Sequence, residues 1–280
     1  MSEGISKKEQ ALGRFRAHNG LFSCPVCEST LVTVDSQASL CCENNHCFDL
    51  ARKGYLNLFL GSQNSQYDKA LFSARQKVFA AGIYDPLVSA VAEWIERRGV
   101  EAPCILDAGC GEGSLSAMLS AQLGSPVLVG LDIARDGITL ATSHQAPVMW
   151  LVADLARLPL TSASLDVVLN VLSPANYAEF SRVLKPGGVV IKVLPGEDYL
   201  AEIRDRLPGV AAYSNDEVLG KFQDKMEIED RLHLHYRAQM TEELWKAMVQ
   251  MTPLSQNRKV QGEIPRSVTI DLHVLEGTVV

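Results

Sequence analysis

The stretch Cys104-Ile105-Leu106-Asp107-Ala108-Gly109-Cys110-Gly111-Glu112-Gly113-Ser114-Leu115 decides the fold. A short apolar run ends in an acid, three glycines follow at alternate positions, and a segment with helical spacing comes next. That order predicts strand, tight loop, helix. Glycine tolerates positive φ and lets another group approach the backbone closely, so a ligand can sit against this loop with the helix N-terminus beside it. The G-x-G-x-G spacing differs from the dinucleotide fingerprint G-x-G-x-x-G. Structural turns also collect glycine, so the segments that follow carry the decision.

Downstream the unit repeats. Residues 126–132 form a second buried strand ending in Asp132, and 148–155 a third, with Asp154 followed by Leu155. Residues 165–172 predict a fourth strand and 179–184 a helix stopped by Lys185-Pro186-Gly187-Gly188. Residues 189–194 predict a fifth strand. Strands separated by helical segments imply an α/β fold with a parallel, doubly wound sheet and ligands at the carboxyl ends of its strands. Beyond Pro195 the pattern weakens: helix over 199–207, alternating strand over 231–236, a helix capped by Thr241 that runs to Met251, and a last strand over 268–275. These late strands are expected to complete the sheet.

Upstream, residues 20–60 read as a compact unit. Five of the seven cysteines lie between Cys24 and Cys47, a clustering that favours metal over disulfides in a reducing compartment. Cys24-Pro25-Val26-Cys27 forms one knuckle-like turn, and Cys41-Cys42-Glu43-Asn44-Asn45-His46-Cys47 a second. Two such turns on adjacent hairpins put four ligands at tetrahedral corners, as a structural zinc ion requires. The preferred set is Cys24, Cys27, Cys42 and His46; the spacing also admits Cys47 for His46 and Cys41 for Cys42. Alternation after Gly54 suggests a short extended exit from this module. Residues 61–66 read as a linker or mobile loop. Helices are expected over 69–81, with Leu71, Arg75 and Phe79 on one face, and from Pro86, with Leu87, Val88, Val91, Trp94 and Ile95 as its apolar stripe. The divisions are thus 20–60 zinc ribbon, 61–100 linker and helices, and 101–280 the sheet domain.

Of the 280 residues, 47% are hydrophobic and 21% charged, as in a soluble globular protein. The formal net charge of −7 arises beyond residue 100, residues 1–100 being nearly neutral. A strongly basic chain would indicate nucleic acid; here any such surface is a local patch, with Arg14, Arg16, Arg52 and Lys53 as contributors. No apolar run of about 18 residues indicates a membrane span, and the N-terminus lacks the apolar core of a signal peptide. A cytoplasmic protein is expected.

Three acids at successive strand ends, Asp107, Asp132 and Asp154, together with the glycine spacing and the Leu184-Lys185-Pro186-Gly187-Gly188 turn, resemble the class I S-adenosylmethionine-dependent methyltransferases. The resemblance implies that Asp107, Gly109, Gly111 and Gly113 approach the amino-acid part of the cofactor. It also implies that Asp132 takes both ribose hydroxyls and that Asp154 and Leu155 lie by the adenine. Across nearly the full chain, the knuckle, Phe48-Asp49-x-Ala51-x-Lys53-Gly54-Tyr55, Ala81-Gly82-x-Tyr84-x-Pro86, the glycine loop and Met251-Thr252-Pro253 resemble the RlmA family. These are bacterial enzymes that methylate guanine N1 in a hairpin of 23S rRNA. That resemblance implies a zinc module that helps recognise RNA, a homodimer, and cofactor contacts at Tyr84, Gly111 and Glu112. A further contact, a histidine in the family, falls at Tyr199 here. Which guanine of the hairpin is modified decides any bearing on antibiotic resistance.

The loop after the fourth strand carries no NPPY box and no cysteine pair, which suits guanine N1, where no covalent adduct is needed. The N1 proton must leave before or during methyl transfer, so a positioned base helps. Candidates are Asp166, Asn176 and Tyr177, with Asp166 preferred as a plain strand-start acid. A paired guanine must be unpaired or flipped to expose N1. Arg52, Lys53, Arg75 and Lys77 are candidate phosphate contacts. Two rival readings are a small-molecule methyltransferase, against which the zinc module argues, and a non-catalytic zinc-ribbon RNA-binding adaptor, against which the intact glycine loop argues.

Overall fold

A computed structural model describes residues 5–62, 68–207, 214–256, 258 and 260–280; the expected linker residues 63–66 lie outside these. The frame is an eight-stranded sheet ordered β10-β11-β9-β8-β5-β6-β7-β4. Its parallel part comprises β4 (Tyr55–Asn57), β5 (Cys104–Ala108), β6 (Val127–Asp132), β7 (Val148–Val152), β8 (Leu165–Val171) and β9 (Leu184–Pro195). Two long strands, β10 (Met226–Gln239) and β11 (Ser267–Val279), extend it antiparallel beyond β9. The strands of the parallel part are nearly continuous apolar runs because both faces are covered.

Alternate residues serve opposite faces. Ile105, Leu128, Trp150, Val167 and Ile191 pack with the stripe of α3 (Asp85–Arg97), namely Leu87, Val88, Val91, Trp94 and Ile95, and with Trp245 and Met248 of α9 (Glu242–Met251). Leu106, Val129, Met149, Val168 and Val190 pack on the other face, against Phe15 of α1 (Lys7–Ala17), Phe180 of α6 (Tyr177–Val183), and Phe22, Leu31 and Leu40 of the cysteine-rich region.

That region holds its own sheet, β1 (Val32–Val34), β2 (Ser39–Cys41) and β3 (Cys47–Asp49). It shares a core with the large sheet and is strapped to it by Ser23 N–H donating to Pro159 O (3.1 Å) and Thr161 N–H to Leu21 O (3.0 Å). The short exit after Gly54 is β4, and it pairs with β7 as the edge strand of the large sheet. Gly54 has φ +88°, and a Cβ there would lie 2.9 Å from Lys7 O, so α1 packs directly on this turn.

Local chemistry sets the helix starts. Ser6 and Glu9 form a capping box on α1, and Asp68 accepts from Leu71 N–H (2.8 Å) at the start of α2 (Lys69–Ala80). The buried face of α2 is Leu71, Phe72, Ala74 and Val78, so Arg75 and Phe79 fall at its flank, half-buried. The Lys185–Gly188 stop is absorbed into β9, which begins at Leu184. Among the described residues, no single helix is long and apolar enough to cross a membrane.

Candidate functional site

The glycine loop leaves β5 and enters α4 (Ser114–Gln122) with Gly109, Gly111 and Gly113 all at positive φ (+86°, +58° and +78°). Each glycine answers a different neighbour. A Cβ on Gly113 would lie 2.5 Å from the Trp150 ring, one on Gly109 would overlap the Ser173 hydroxyl, and one on Gly111 would lie 2.9 Å from Arg75 Nη1. Gly113 is therefore a packing requirement, and side chains crowd Gly109 and Gly111 as well.

Asp132 ends β6 beside this loop. Its Oδ2 accepts from Gly111 N–H (2.8 Å) and its Oδ1 from Ala134 N–H (2.7 Å). A carboxylate offers about four acceptor directions, so one on each oxygen remains for an adjacent pair of hydroxyls. Burial raises its pKa, while the Ala134 and Gly111 N–H groups oppose the rise. Asp154 lies half-buried past β7 with Oδ1 accepting from Ala156 N–H (2.8 Å), and Leu155 lies next to Gly109.

Two predicted residues are buried. Asp107 is buried within β5, where it accepts from the Ser116 hydroxyl (2.6 Å), and burial pushes its pKa up to about 7. Glu112 is buried too, accepting from Ser114 Oγ (2.7 Å) with His144 Nε2 at 3.6 Å. Its side chain points inward, and its backbone carbonyl faces His144 Nε2 (3.1 Å).

Tyr84 and Tyr199 meet, their hydroxyl oxygens 2.6 Å apart. Phe79 packs on Tyr84 (centroids 4.9 Å), and Tyr236 donates to Ile83 O (2.7 Å) just before it. Arg75, expected at RNA phosphates, stands over Phe72 (5.8 Å) against Gly111, and its charge acts on Asp132, Tyr84 and Tyr199. It thus stands beside the glycine loop.

The three candidate bases are held in other surroundings. Asp166 lies at the amino end of β8, at the opposite end of the parallel sheet from the glycine loop. There it accepts from Cys104 N–H (2.8 Å) and Lys185 Nζ (2.9 Å), a strand-start role. Asn176 is occupied: it caps α6 through Glu179 N–H (3.4 Å) and donates to Leu155 O (3.1 Å) and Ala156 O (3.2 Å). The Tyr177 ring packs edge-on against Phe180 and Phe222; its hydroxyl is buried without a partner among the described residues, and burial raises its pKa to about 12.

A buried group that the motifs do not predict shapes the loop after β8. Lys192 of β9, only 2% exposed, donates to Asn170 Oδ1 and to Ser173 O (2.7 Å). Asn170 in turn donates to Ala108 O (3.1 Å) and Pro174 O (2.9 Å). Burial lowers the lysine pKa to about 8. A lone lysine inside the apolar run Val189-Val190-Ile191-Lys192-Val193-Leu194 is the sequence signal that could have flagged it.

The cysteine knuckle gathers Cys24, Cys27, Cys42 and His46, whose ligand atoms lie within 4.8 Å of one another. Individual separations are 3.6 Å (Cys24–His46), 3.6 Å (Cys27–Cys42) and 3.4 Å (Cys42–His46). A zinc tetrahedron with Zn–S near 2.3 Å has edges of roughly 3.8 Å, so the set fits a zinc ion. Asn44 donates to Cys27 Sγ (3.3 Å) and holds its pKa down at about 5, toward the thiolate that zinc binds. Cys41 and Cys47, the alternative ligands, face each other across β2–β3 as a disulfide. That pairing removes both alternatives and leaves the preferred set, with one disulfide beside it in a cluster where metal is expected over disulfides. The knuckle adjoins the segment after β7, with Arg157 paired to Glu28 (2.6 Å).

The expected phosphate contacts scatter. Arg16 pairs with Asp35 (2.7 Å) and Lys77 with Glu243 (3.8 Å). Arg52 and Lys53 are exposed, with no carboxylate in ion-pairing range among the described residues, but they precede the start of β4 and so lie toward the amino ends of the strands.

Residues 22–64 match the family model described as "RlmA, N-terminal", and residues 105–188 match that of a methyltransferase domain. A Bacillus subtilis (strain 168) protein named "Putative 23S rRNA (guanine-N(1)-)-methyltransferase YxjB" is 37% identical over 244 residues, covering 84% of this chain and 86% of that protein. The 23S rRNA (guanine(748)-N(1))-methyltransferase of Streptomyces fradiae is 34% identical over 188 residues, 66% of each chain. A Micromonospora griseorubida relative with a 23S rRNA (guanine-N(1)-)-methyltransferase name is 36% identical over 202 residues, 66% of this chain and 68% of its own.

Proposed function

The chain belongs to the RlmA family of 23S rRNA (guanine-N1)-methyltransferases, and we propose that it methylates N1 of a guanine in a hairpin of that RNA, with S-adenosylmethionine as donor. The observation that carries this reading is the zinc knuckle strapped beside the carboxyl ends of a methyltransferase sheet. A small substrate needs no such appendage, and an adaptor without cofactor needs no glycine loop at three positive φ angles.

The residues divide the work. Asp132 takes the ribose diol, Asp154 and Leu155 border the adenine, and Tyr84, Tyr199 and Arg75 face the amino-acid end. The backbone of Gly109 through Gly113 lines the floor between them. The bound cofactor supplies a methyl group on a cationic sulfur. The protein's task is alignment of N1 with that methyl, a factor that can carry much of the rate. The loop of residues 172–176, braced from below by Lys192 and Asn170, forms the wall that an extruded guanine would meet. Residues 20–60 serve RNA recognition and residues 101–280 the transfer, in a cytoplasmic homodimer.

Incubation with tritiated-methyl donor and either hairpin RNA or a metabolite extract tests the reading. Label is expected in the RNA, at guanine N1. Label in metabolites alone would sink it. Light scattering on the purified protein tests the dimer, for which a monomer at all concentrations is the contrary result.

A further inference from the structure

Away from the knuckle, the antiparallel extension concentrates half of the chain's six histidines. The register of β10 and β11 sets His233 directly opposite His273 and His235 directly opposite Asp271. Alternation along each strand puts all four on one face, and directly opposed residues have Cβ atoms about 5 Å apart. This box follows from the strand pairing itself, independently of rotamers. Asp198, in the loop after β9, comes within 3.5 Å of His235.

We propose that this box is a second metal site, binding a divalent transition ion such as Zn²⁺ through His233, His273 and Asp271, with His235 and Asp198 at its border. The ligand atoms of His233, Asp271 and His273 lie within 4.8 Å of one another, as do those of Asp198, His235 and Asp271. Asp271 is shared by both groups and is almost wholly buried, while His233 and His235 are open to solvent, so an ion has a way in. Two imidazoles and a carboxylate select borderline ions over Mg²⁺ or Ca²⁺, which favour all-oxygen sites. The carboxylates exclude an anion as occupant.

A simple ion pair explains only part of the arrangement. The His233–Asp271 contact (2.6 Å) uses one histidine, yet His273 stacks on His233 at 4.4 Å and His235 faces the same carboxylates. Asp271 already divides its oxygens: Oδ2 accepts from Asp198 N–H (2.8 Å), and Oδ1 faces His233. An ion inserted at Oδ1 displaces the His233 Nε2 proton to solvent and leaves the Asp198 hydrogen bond in place. The ion would thus clamp the extension to the loop that carries Tyr199, next in sequence to Asp198.

The test uses full-length protein with its knuckle zinc in place, confirmed by elemental analysis, titrated with Zn²⁺ by calorimetry. One additional equivalent is expected, weakened about tenfold or more in His233→Ala and in His273→Ala, with knuckle zinc and melting temperature unchanged in these exposed-face variants. Co²⁺ added to the same zinc-loaded protein should show ligand-field bands without thiolate charge transfer. Absence of an additional equivalent, or an additional equivalent that survives both histidine variants, overturns the proposal.

Discussion

The hydroxyls of Tyr84 and Tyr199 lie 2.6 Å apart, joining the start of α3 to the loop after β9 across the carboxyl end of the sheet. Two phenols bring two O–H donors to one mutual hydrogen bond, so one donor stays free for an anionic group beside Arg75. The RlmA resemblance places a histidine at the second position, and its substitute keeps a donor there. Tyr199→Phe should therefore weaken S-adenosylmethionine binding by a few-fold to about tenfold, the worth of one hydrogen bond, and Tyr199→His should restore it. Calorimetry gives both values; unchanged affinity in the phenylalanine variant would remove the pair from the cofactor site.

Asp132 carries a double duty that its motif does not disclose. Besides the diol, it anchors Gly111 N–H and Ala134 N–H. Asp132→Ala should cost cofactor affinity on the order of 2–4 kcal/mol, from two charge-assisted bonds, and should also lower the melting temperature by freeing the loop. Asp132→Asn keeps one acceptor and should fall between. Full cofactor affinity in the alanine variant would overturn the ribose assignment.

The parallel strands are legible because burial on both faces leaves uninterrupted apolar runs, and the strand-end acids stand out against them. Direction is not legible in the same way. Asp107 and Asp132 each follow a leucine near the end of adjacent strands, yet the first is buried against Ser116 and the second accepts from the glycine loop at Gly111 N–H. Only tertiary packing separates them. Asp166 shares β8 with the loop that follows it but sits at the strand's far end, because a parallel strand begins where its neighbours begin. The three-residue β4 has too little pattern to reveal its partner β7, and the choice among cysteines hinged on the register that pairs Cys41 with Cys47. The capping box Ser6-Lys7-Lys8-Glu9 is a local signal for α1 that the expected helices, beginning at residue 69, leave unused.

The buried Asp107 makes stability and cofactor binding pH-dependent. Burial first, with the nearby Asp132 and Glu112 adding to it, lifts its pKa from 3.8 to about 7. A folded-state pKa above the unfolded one means that the native state holds the extra proton. Its contribution is full below pH 3.8, declines as the pH rises toward 7, and is gone above that. Asp107→Asn, which keeps an acceptor for Ser116, should flatten this slope and stabilise the protein above pH 7 by at most about 4 kcal/mol. A net-positive cofactor beside these acids should also release a proton near pH 6. Calorimetry in buffers of different ionisation enthalpy measures that release, and a buffer-independent heat would contradict it.

Zinc removal should separate recognition from cofactor binding, although the two regions touch. Phe22 and Leu31 share a core with Leu158 and Leu160, and this segment begins just past Asp154 and Leu155, where Asn176 also bonds. Loss of zinc therefore reaches the adenine side through the contacts of residues 157–161, whereas it dissolves the knuckle itself. Cys24→Ser should release the ion, lower the melting temperature, and cut methylation of hairpin RNA by about tenfold or more while cofactor affinity changes far less. Reduction of Cys41–Cys47 should leave the zinc in place, since neither sulfur belongs to the tetrahedral set. Equal losses of methylation and cofactor affinity in Cys24→Ser would show that those contacts dominate, and would reassign the knuckle from RNA recognition to support of the pocket.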